Sequence, residues 1–254
     1  MTSVPSAELP LEGRIALVTG ATRGIGRASA RALAAAGAQI VAVGRTQGAL
    51  EELDDEIRRA GRPRASLVPL DIADGANLDI LGHELFQRHQ RLDILVHAAA
   101  MLGGLWPAAH MDPKQWDRVI ATNLTATYRL IRALEPLLRQ SQAGRAIFLS
   151  SSLAARPRAF WGAYAATKAG MEALVRSWAD EIEHTKIRAV LINPGAMRTR
   201  MRSEAYPGED PATLPSPDEI GPMIVAFAAA TDLGLPTETR QFSDWKATHG
   251  ATSA

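Results

Sequence analysis

Short apolar runs that alternate with helix-forming stretches constrain this chain more than any other feature. Residues 14–19 (RIALVT), 39–43 (QIVAV), 65–70, 92–97, 145–150 (RAIFLS) and 187–192 (IRAVLI) have strand length and show no period-two alternation. Between them lie helical stretches: an alanine-rich 26–36 closed by Gly37, a polar 47–60, then 77–91, a run from Pro113 to about residue 140, and 164–184. A last helix is read at 218–230, and 237–242 has the composition of a short final strand. Strands that are apolar on both faces and separated by crossover helices predict a parallel sheet covered on both sides. The expected fold is a single Rossmann-type, doubly wound α/β domain of about seven strands over residues 1–254.

Finer features follow from local signals. Asp112 and Pro113 read as an N-cap acceptor followed by proline at the first helical position, and a break in that helix is expected near 116–118. Residues 203–217 carry four prolines and lie past a strand's carboxyl end, which makes them a candidate substrate lid. Residues 243–254 read as a poorly ordered tail.

Composition removes several function classes. With 28 Lys+Arg against 27 Asp+Glu, the net charge of +1 offers no broad positive field for a nucleic acid. The absence of cysteine excludes a disulfide framework, a thiolate zinc site and a cysteine nucleophile. No His and acidic cluster has metal-ligand spacing, so no metal is expected. The first ten residues lack a basic start and an apolar run, and no stretch nears the roughly 18 apolar residues of a membrane span. A cytoplasmic protein without a membrane partner is expected.

The sequence Thr19-Gly20-Ala21-Thr22-Arg23-Gly24-Ile25-Gly26 stands between the first strand and the first helix. A glycine-rich turn there lets backbone approach a diphosphate, and the helix N-terminus offers free N–H groups and positive dipole. No Gly-Lys-Ser/Thr closes the loop, which excludes a P-loop NTPase. Its spacing, G-x-x-x-G-x-G, resembles the first loop of the short-chain dehydrogenase/reductase family. The resemblance implies that Gly20, Thr22, Arg23, Gly24, Ile25 and Gly26 line a dinucleotide site. NAD binders commonly close the second strand with an acid that bonds the ribose 2′-hydroxyl. Here that place holds Arg45, and Arg23 lies in the loop; each alone could be a solvated charge, but together, with the acid missing, they favour NADP(H) over NAD(H). Asp71 and Ile72 match the family's adenine-holding pair, although an aspartate there also suits a turn.

Tyr164 and Lys168 lie four residues apart at the start of a helix and share a face. With three tyrosines and four lysines, such a pair arises by chance about 5% of the time. A nearby ammonium would lower the phenol's pKa and suit it to proton transfer. Ser151, thirteen residues before Tyr164, could polarise a substrate oxygen. Residues alone do not separate Ser150 from Ser151, and they leave Asn123 as a kink or packing residue. The family resemblance selects Asn123, Ser151, Tyr164 and Lys168 as catalytic. It also places Ala99, Tyr164, Lys168, Pro194, Gly195 and Thr199 at the cofactor, with Thr199 at the nicotinamide carboxamide. It covers residues 14 to about 230, with five motifs in family order. Phe160 to Tyr164, together with His97 and Leu102 to Gly104, resemble a bacterial YciK-like branch of the family, whose substrates are not settled.

One departure stands out. The family's Asn-Asn-Ala-Gly after the fourth strand is His97-Ala98-Ala99-Ala100 here. Loss of side-chain bracing and an added methyl group imply weaker cofactor binding or lower stability, by about 1–2 kcal/mol where a buried partner is left unpaired. His97, ending an apolar strand, reads as a satisfied core residue rather than a catalyst. The leading expectation is an NADP(H)-dependent carbonyl reductase or alcohol dehydrogenase acting on a small molecule. The alternative, raised by the departure, is a non-catalytic NADP(H)-binding regulatory or scaffold protein. The resemblance further implies a homodimer or homotetramer. Met171, Leu174, Val175 and Trp178 form a stripe that could serve that interface or the core.

Overall fold

The computed structural model describes residues 9–231, 233–234 and 238–249. Seven parallel strands form one sheet: β1 (Ile15–Thr19), β2 (Gln39–Gly44), β3 (Ser66–Pro69), β4 (Ile94–His97), β5 (Arg145–Leu149), β6 (Arg188–Asn193) and β7 (Arg240–Gln241). Their order is β3-β2-β1-β4-β5-β6-β7, which is the doubly wound arrangement the sequence predicts. The order reverses between β1 and β4, where Thr19 pairs with His97, so the two following loops diverge and leave a crevice.

The lack of alternation in the strands has a simple cause. In β1, Ala16 and Val18 join one apolar cluster while Ile15 and Leu17 join the other; β2 divides Ile40 and Ala42 from Val41 and Val43 in the same way. Helices α1 (Gly24–Ala35), α2 (Gln47–Arg59) and α8 (Gly221–Ala229) supply the first layer. The second comes from α3 (Gly75–His89), α5 (Ala126–Arg139) and α6 (Gly162–Glu181). The stripe on α6 is spent there: Met171, Val175 and Trp178 are buried, and the Trp178 ring meets Phe148 edge-on with centroids 6.2 Å apart.

The structure corrects three sequence expectations. The helix from Pro113 does not break at 116–118: α4 (Pro113–Ile120) continues into a π-turn, Ala121–Thr125, and then α5. The Ala126 N–H reaches back five residues to the Ala121 carbonyl. Tertiary bonds made by Asn123, described below, hold this wider turn, and they are invisible to local pattern. The tail is not irregular throughout, because residues Phe242–His249 form α9. Phe242 is buried and Trp245 packs on the core, so the helix is stabilised by docking rather than by its own periodicity. Residues 250–254 lie outside the described residues, as does Thr237 of the expected last strand, which shortens to Arg240–Gln241. Within 203–217, α7 (Arg200–Ala205) runs into the segment and a 3-10 turn covers Pro211–Thr213. Among the described residues no helix is long and apolar enough to cross a membrane.

Candidate active site

The glycine loop is shaped by contacts that only glycine permits. Gly20 and Gly24 have φ of +68° and +53°. A Cβ on Gly26 would lie 2.2 Å from the Gly20 carbonyl oxygen, and one on Gly20 would lie 2.9 Å from the Ala99 backbone. These absences let α1 close onto the strand and bring the loops after β1 and β4 together. The Thr22 methyl group packs where a Gly44 side chain would be, and the Ala21 N–H bonds the Val43 carbonyl at 3.1 Å. Arg23 occupies the N-cap of α1 without capping it, and the first turn holds no acid. That helix end therefore keeps N–H groups with no side-chain acceptor at the cap, a cradle suited to an anion. Ile25 packs partly into the core beside it.

At the ends of β2 and β3, Arg45 and Asp71 form an open ion pair at 3.9 Å, with the side chains 70% and 50% exposed. A pair this solvated holds little energy, so a phosphate can take the carboxylate's place. The other Asp71 oxygen accepts from the Ala73 N–H at 3.0 Å, so the turn role is present as well, and Ile72 is core. Across the crevice, Gly195 (φ +71°) follows Pro194, and its N–H is held by Asn193 Oδ1 at 3.1 Å. Thr199 caps α7 through the Arg202 N–H at 3.2 Å, and its methyl group faces Gly24. The sequence-derived cofactor residues thus converge on one crevice, from β1, β2, β3, β4 and β6.

Ser151, Tyr164 and Lys168 meet past β5. Ser151 Oγ accepts from the Leu153 N–H at 3.3 Å, and the Ser151 hydroxyl lies near enough to the Tyr164 hydroxyl to pull its pKa down. Lys168, one helical turn on from Tyr164, donates through Nζ to the Leu149 carbonyl at 2.6 Å and sits 5.8 Å from the Tyr164 ring centre. Ser150 is turned away and donates to Glu172 at 2.5 Å, so geometry now separates it from Ser151. Burial pushes the Tyr164 hydroxyl up to about 12, with only a partial offset from Ser151. Burial brings the Lys168 ammonium down to about 8 against an upward pull from Glu172. This reverses the sequence expectation for the tyrosine: the ammonium is committed to a carbonyl and lies over the ring, so desolvation outweighs it.

Asn123 is buried in the π-turn. Its Oδ1 accepts from the Met101 N–H at 2.8 Å, and its Nδ2 donates to the Met101 carbonyl at 2.9 Å and to Thr167 Oγ1 at 3.2 Å. Thr167 in turn donates to the Tyr164 carbonyl at 2.8 Å. Asn123 therefore ties the loop after β4 to the helix that carries Tyr164.

His97 was expected to be a satisfied core residue, and its surroundings explain how the chain manages without the second family Asn. Nδ1 lies 2.8 Å from Thr19 Oγ1 and Nε2 lies 3.2 Å from Thr127 Oγ1. The Thr127 hydroxyl has one proton, which goes to the Asn123 carbonyl at 3.1 Å, so Nε2 must be the donor and Nδ1 the acceptor. Thr19 Oγ1 also accepts from the Ala99 N–H at 3.2 Å. Burial, reinforced by the Lys168 charge, brings His97 down to about 3 and keeps the ring neutral. The bracing from β1 through β4 to the π-turn is thus carried by one imidazole.

A family model for short chain dehydrogenase matches residues 14–210. The uncharacterized oxidoreductase YciK of Escherichia coli K12 is 39% identical over 217 residues, covering 85% of this chain and 86% of that one. A short chain dehydrogenase structure from Shigella flexneri complexed with NADP has a TM-score of 0.88 at 35% identity, covering 92% of this chain and 99% of the other. One from Escherichia coli CFT073 complexed with NADPH has a TM-score of 0.87 at 36% identity, covering 93% and 99%. On fold, motifs and these likenesses together, the chain belongs to the short chain dehydrogenase family of oxidoreductases.

Proposed function

We propose that this protein is an NADP(H)-dependent carbonyl reductase or alcohol dehydrogenase that works as a reductase at neutral pH. The observation that carries this reading is the meeting of Ser151, Tyr164 and Lys168 at the mouth of a crevice whose donors suit a phosphorylated dinucleotide. The open α1 N-terminus would hold the diphosphate, with Gly20, Thr22, Gly24 and Gly26 giving it close approach. Arg23 and Arg45 would hold the 2′-phosphate, and Asp71 and Ile72 the adenine. Ala99, Pro194, Gly195 and Thr199 would line the nicotinamide half, beside Tyr164 and Lys168. The NADP and NADPH complexes of the two relatives support the cofactor choice.

NADPH, when bound, supplies the hydride that reduces a carbonyl carbon. The protein's part is the proton. With its hydroxyl held up to about 12, Tyr164 is a phenol at pH 7 and can donate to the carbonyl oxygen, giving an alcohol and NADP⁺. Ser151 polarises that oxygen and orients Tyr164. Lys168, charged below about 8, offers a positive charge that steadies the phenolate left behind. Asn123 fixes the Tyr164 helix relative to the loop after β4. The exposed Trp116 and Tyr128 on α4 and α5 support assembly as a homodimer or homotetramer, which light scattering would register as a mass above that of one chain.

Titrating the protein with NADPH and NADP⁺, then screening aldehydes, ketones and alcohols, tests the reading. Binding followed by turnover is expected. Binding with no turnover across a broad panel would favour a scaffold protein instead.

A further inference from the structure

Phe160 has φ of +72°, a region that a bulky side chain rarely adopts. The other positive-φ residue that is not glycine among the described residues is Gln90, at a helix C-cap where this conformation is common. Nothing comparable accounts for Phe160, whose side chain is 55% exposed and so gains little from burial. Strain of this kind persists where the surroundings impose it, and it gathers at ligand clamps.

The surroundings here are a second loop. The Trp106 N–H donates to the Phe160 carbonyl at 3.0 Å, which joins the loop after β4 to the loop before α6. The Trp106 indole Nε1 donates to the Gly103 carbonyl at 3.1 Å, and the ring lies against Gly104, where a Cβ would come within 2.6 Å of it. That indole is fixed in orientation yet 45% exposed. Immediately inward, Trp161 meets the Tyr164 ring edge-on with centroids 6.0 Å apart and leans on Tyr206 at 5.9 Å. The backbone bond thus sets two exposed aromatic residues, Phe160 and Trp106, beside Trp161, whose ring belongs to the apolar cluster around Tyr164.

We infer that Phe160 and Trp106 are a substrate clamp, and that the substrate is a carbonyl compound carrying a bulky aromatic group next to the reacting carbon. The inference rests on the reductase reading above and narrows it. Flat apolar groups gain from offset or edge-on contact with such rings, and a small aliphatic carbonyl cannot reach them.

The test compares 2-naphthaldehyde with propanal, using protein saturated with NADPH, in the native chain, Phe160→Gly and Trp106→Ala. Native kcat/KM should favour naphthaldehyde at least tenfold. Phe160→Gly should raise KM for naphthaldehyde roughly 2- to 10-fold, the equivalent of one aromatic contact, with a smaller change for propanal. It should not lower Tm, because glycine accepts the positive φ without strain. Equal kcat/KM for the two aldehydes in the native protein, or an unchanged naphthaldehyde KM in Phe160→Gly, would overturn the clamp. A changed mass in solution with unchanged KM would assign the rings to a subunit interface and overturn it too. If neither aldehyde turns over, the reductase reading fails separately. Calorimetric binding of naphthaldehyde then decides the clamp: a weaker Kd in Phe160→Gly sustains it and an equal Kd refutes it.

Discussion

Replacing His97 with leucine should make the protein less stable at pH 7 and, unlike an ordinary core substitution, should cost less in acid. Two hydrogen bonds disappear, one to Thr19 and one to Thr127, whose side chains are both fully buried. Each hydroxyl keeps another partner, since Thr19 still receives the Ala99 N–H and Thr127 still donates to Asn123. Buried groups left without a partner cost about 1–3 kcal/mol each, about 2–6 kcal/mol for the two, and because each hydroxyl keeps a second partner the lower part of that range, about 2–4 kcal/mol, is expected. The pH dependence follows from the native ring, which holds no proton until about pH 3. An unfolded histidine takes one up near 6.5. Below that value the unfolded state binds more protons than the folded state, so stability falls as pH falls, by about 1.4 kcal/mol per unit. Between pH 7 and 5 the native protein should therefore lose about 2 kcal/mol through His97 alone. Leucine cannot contribute that loss, and the other histidines cancel when the two proteins are compared. Urea unfolding of both at the two pH values measures the difference: the stability gap should shrink by about 2 kcal/mol at pH 5. A gap that stays constant would show that the ring is not held neutral and that the strut is misread. His97→Asn, which reaches only one of the two threonines, should fall between the two.

Other consequences concern the cofactor and the proton donor. Arg45→Ala should weaken NADPH binding roughly 10- to 100-fold by fluorescence titration and leave NADH nearly unchanged, since a charge-assisted bond to the 2′-phosphate is worth about 1.5–3 kcal/mol. Equal losses for both cofactors would contradict that role. Turnover should decline above about pH 8 as Lys168 loses its proton. In Lys168→Met the rate should be low at every pH and this limb should vanish; a limb that persists would assign it to another group.

Much of the fold was legible because the strands are buried on both faces, which writes them as uninterrupted apolar runs. The glycine loop was equally readable, since steric demands at Gly20 and Gly26 leave a mark at fixed spacing. What escaped was set by contacts distant in sequence. The π-turn depends on Asn123 gripping Met101, 22 residues away, and α9 on Phe242 docking into the core. The pKa direction of Tyr164 was misjudged because helix spacing shows that Lys168 is near but not that its ammonium is bound to Leu149. That His97 is a satisfied core residue was readable from its strand, but its partners were not, because its two ring nitrogens span a gap that only the folded β1–β4 pairing creates. The Phe160 backbone was hidden because a positive φ outside glycine, asparagine or aspartate has no sequence signature.

Transfer of a proton from Tyr164 to the substrate oxygen is the central step of the proposed chemistry. Tyr164→Phe removes one oxygen atom and leaves the buried ring, its contact with Trp161 and the remainder of the crevice in place. The deciding measurement is the single-turnover rate of carbonyl reduction by that variant with saturating NADPH, beside its Kd for NADPH. The rate should fall at least 10²–10⁴-fold, the usual contribution of a positioned acid, while the Kd stays within a few-fold of native. A rate near that of the native protein would contradict the assignment of Tyr164 and, with it, the proposed chemistry of this site.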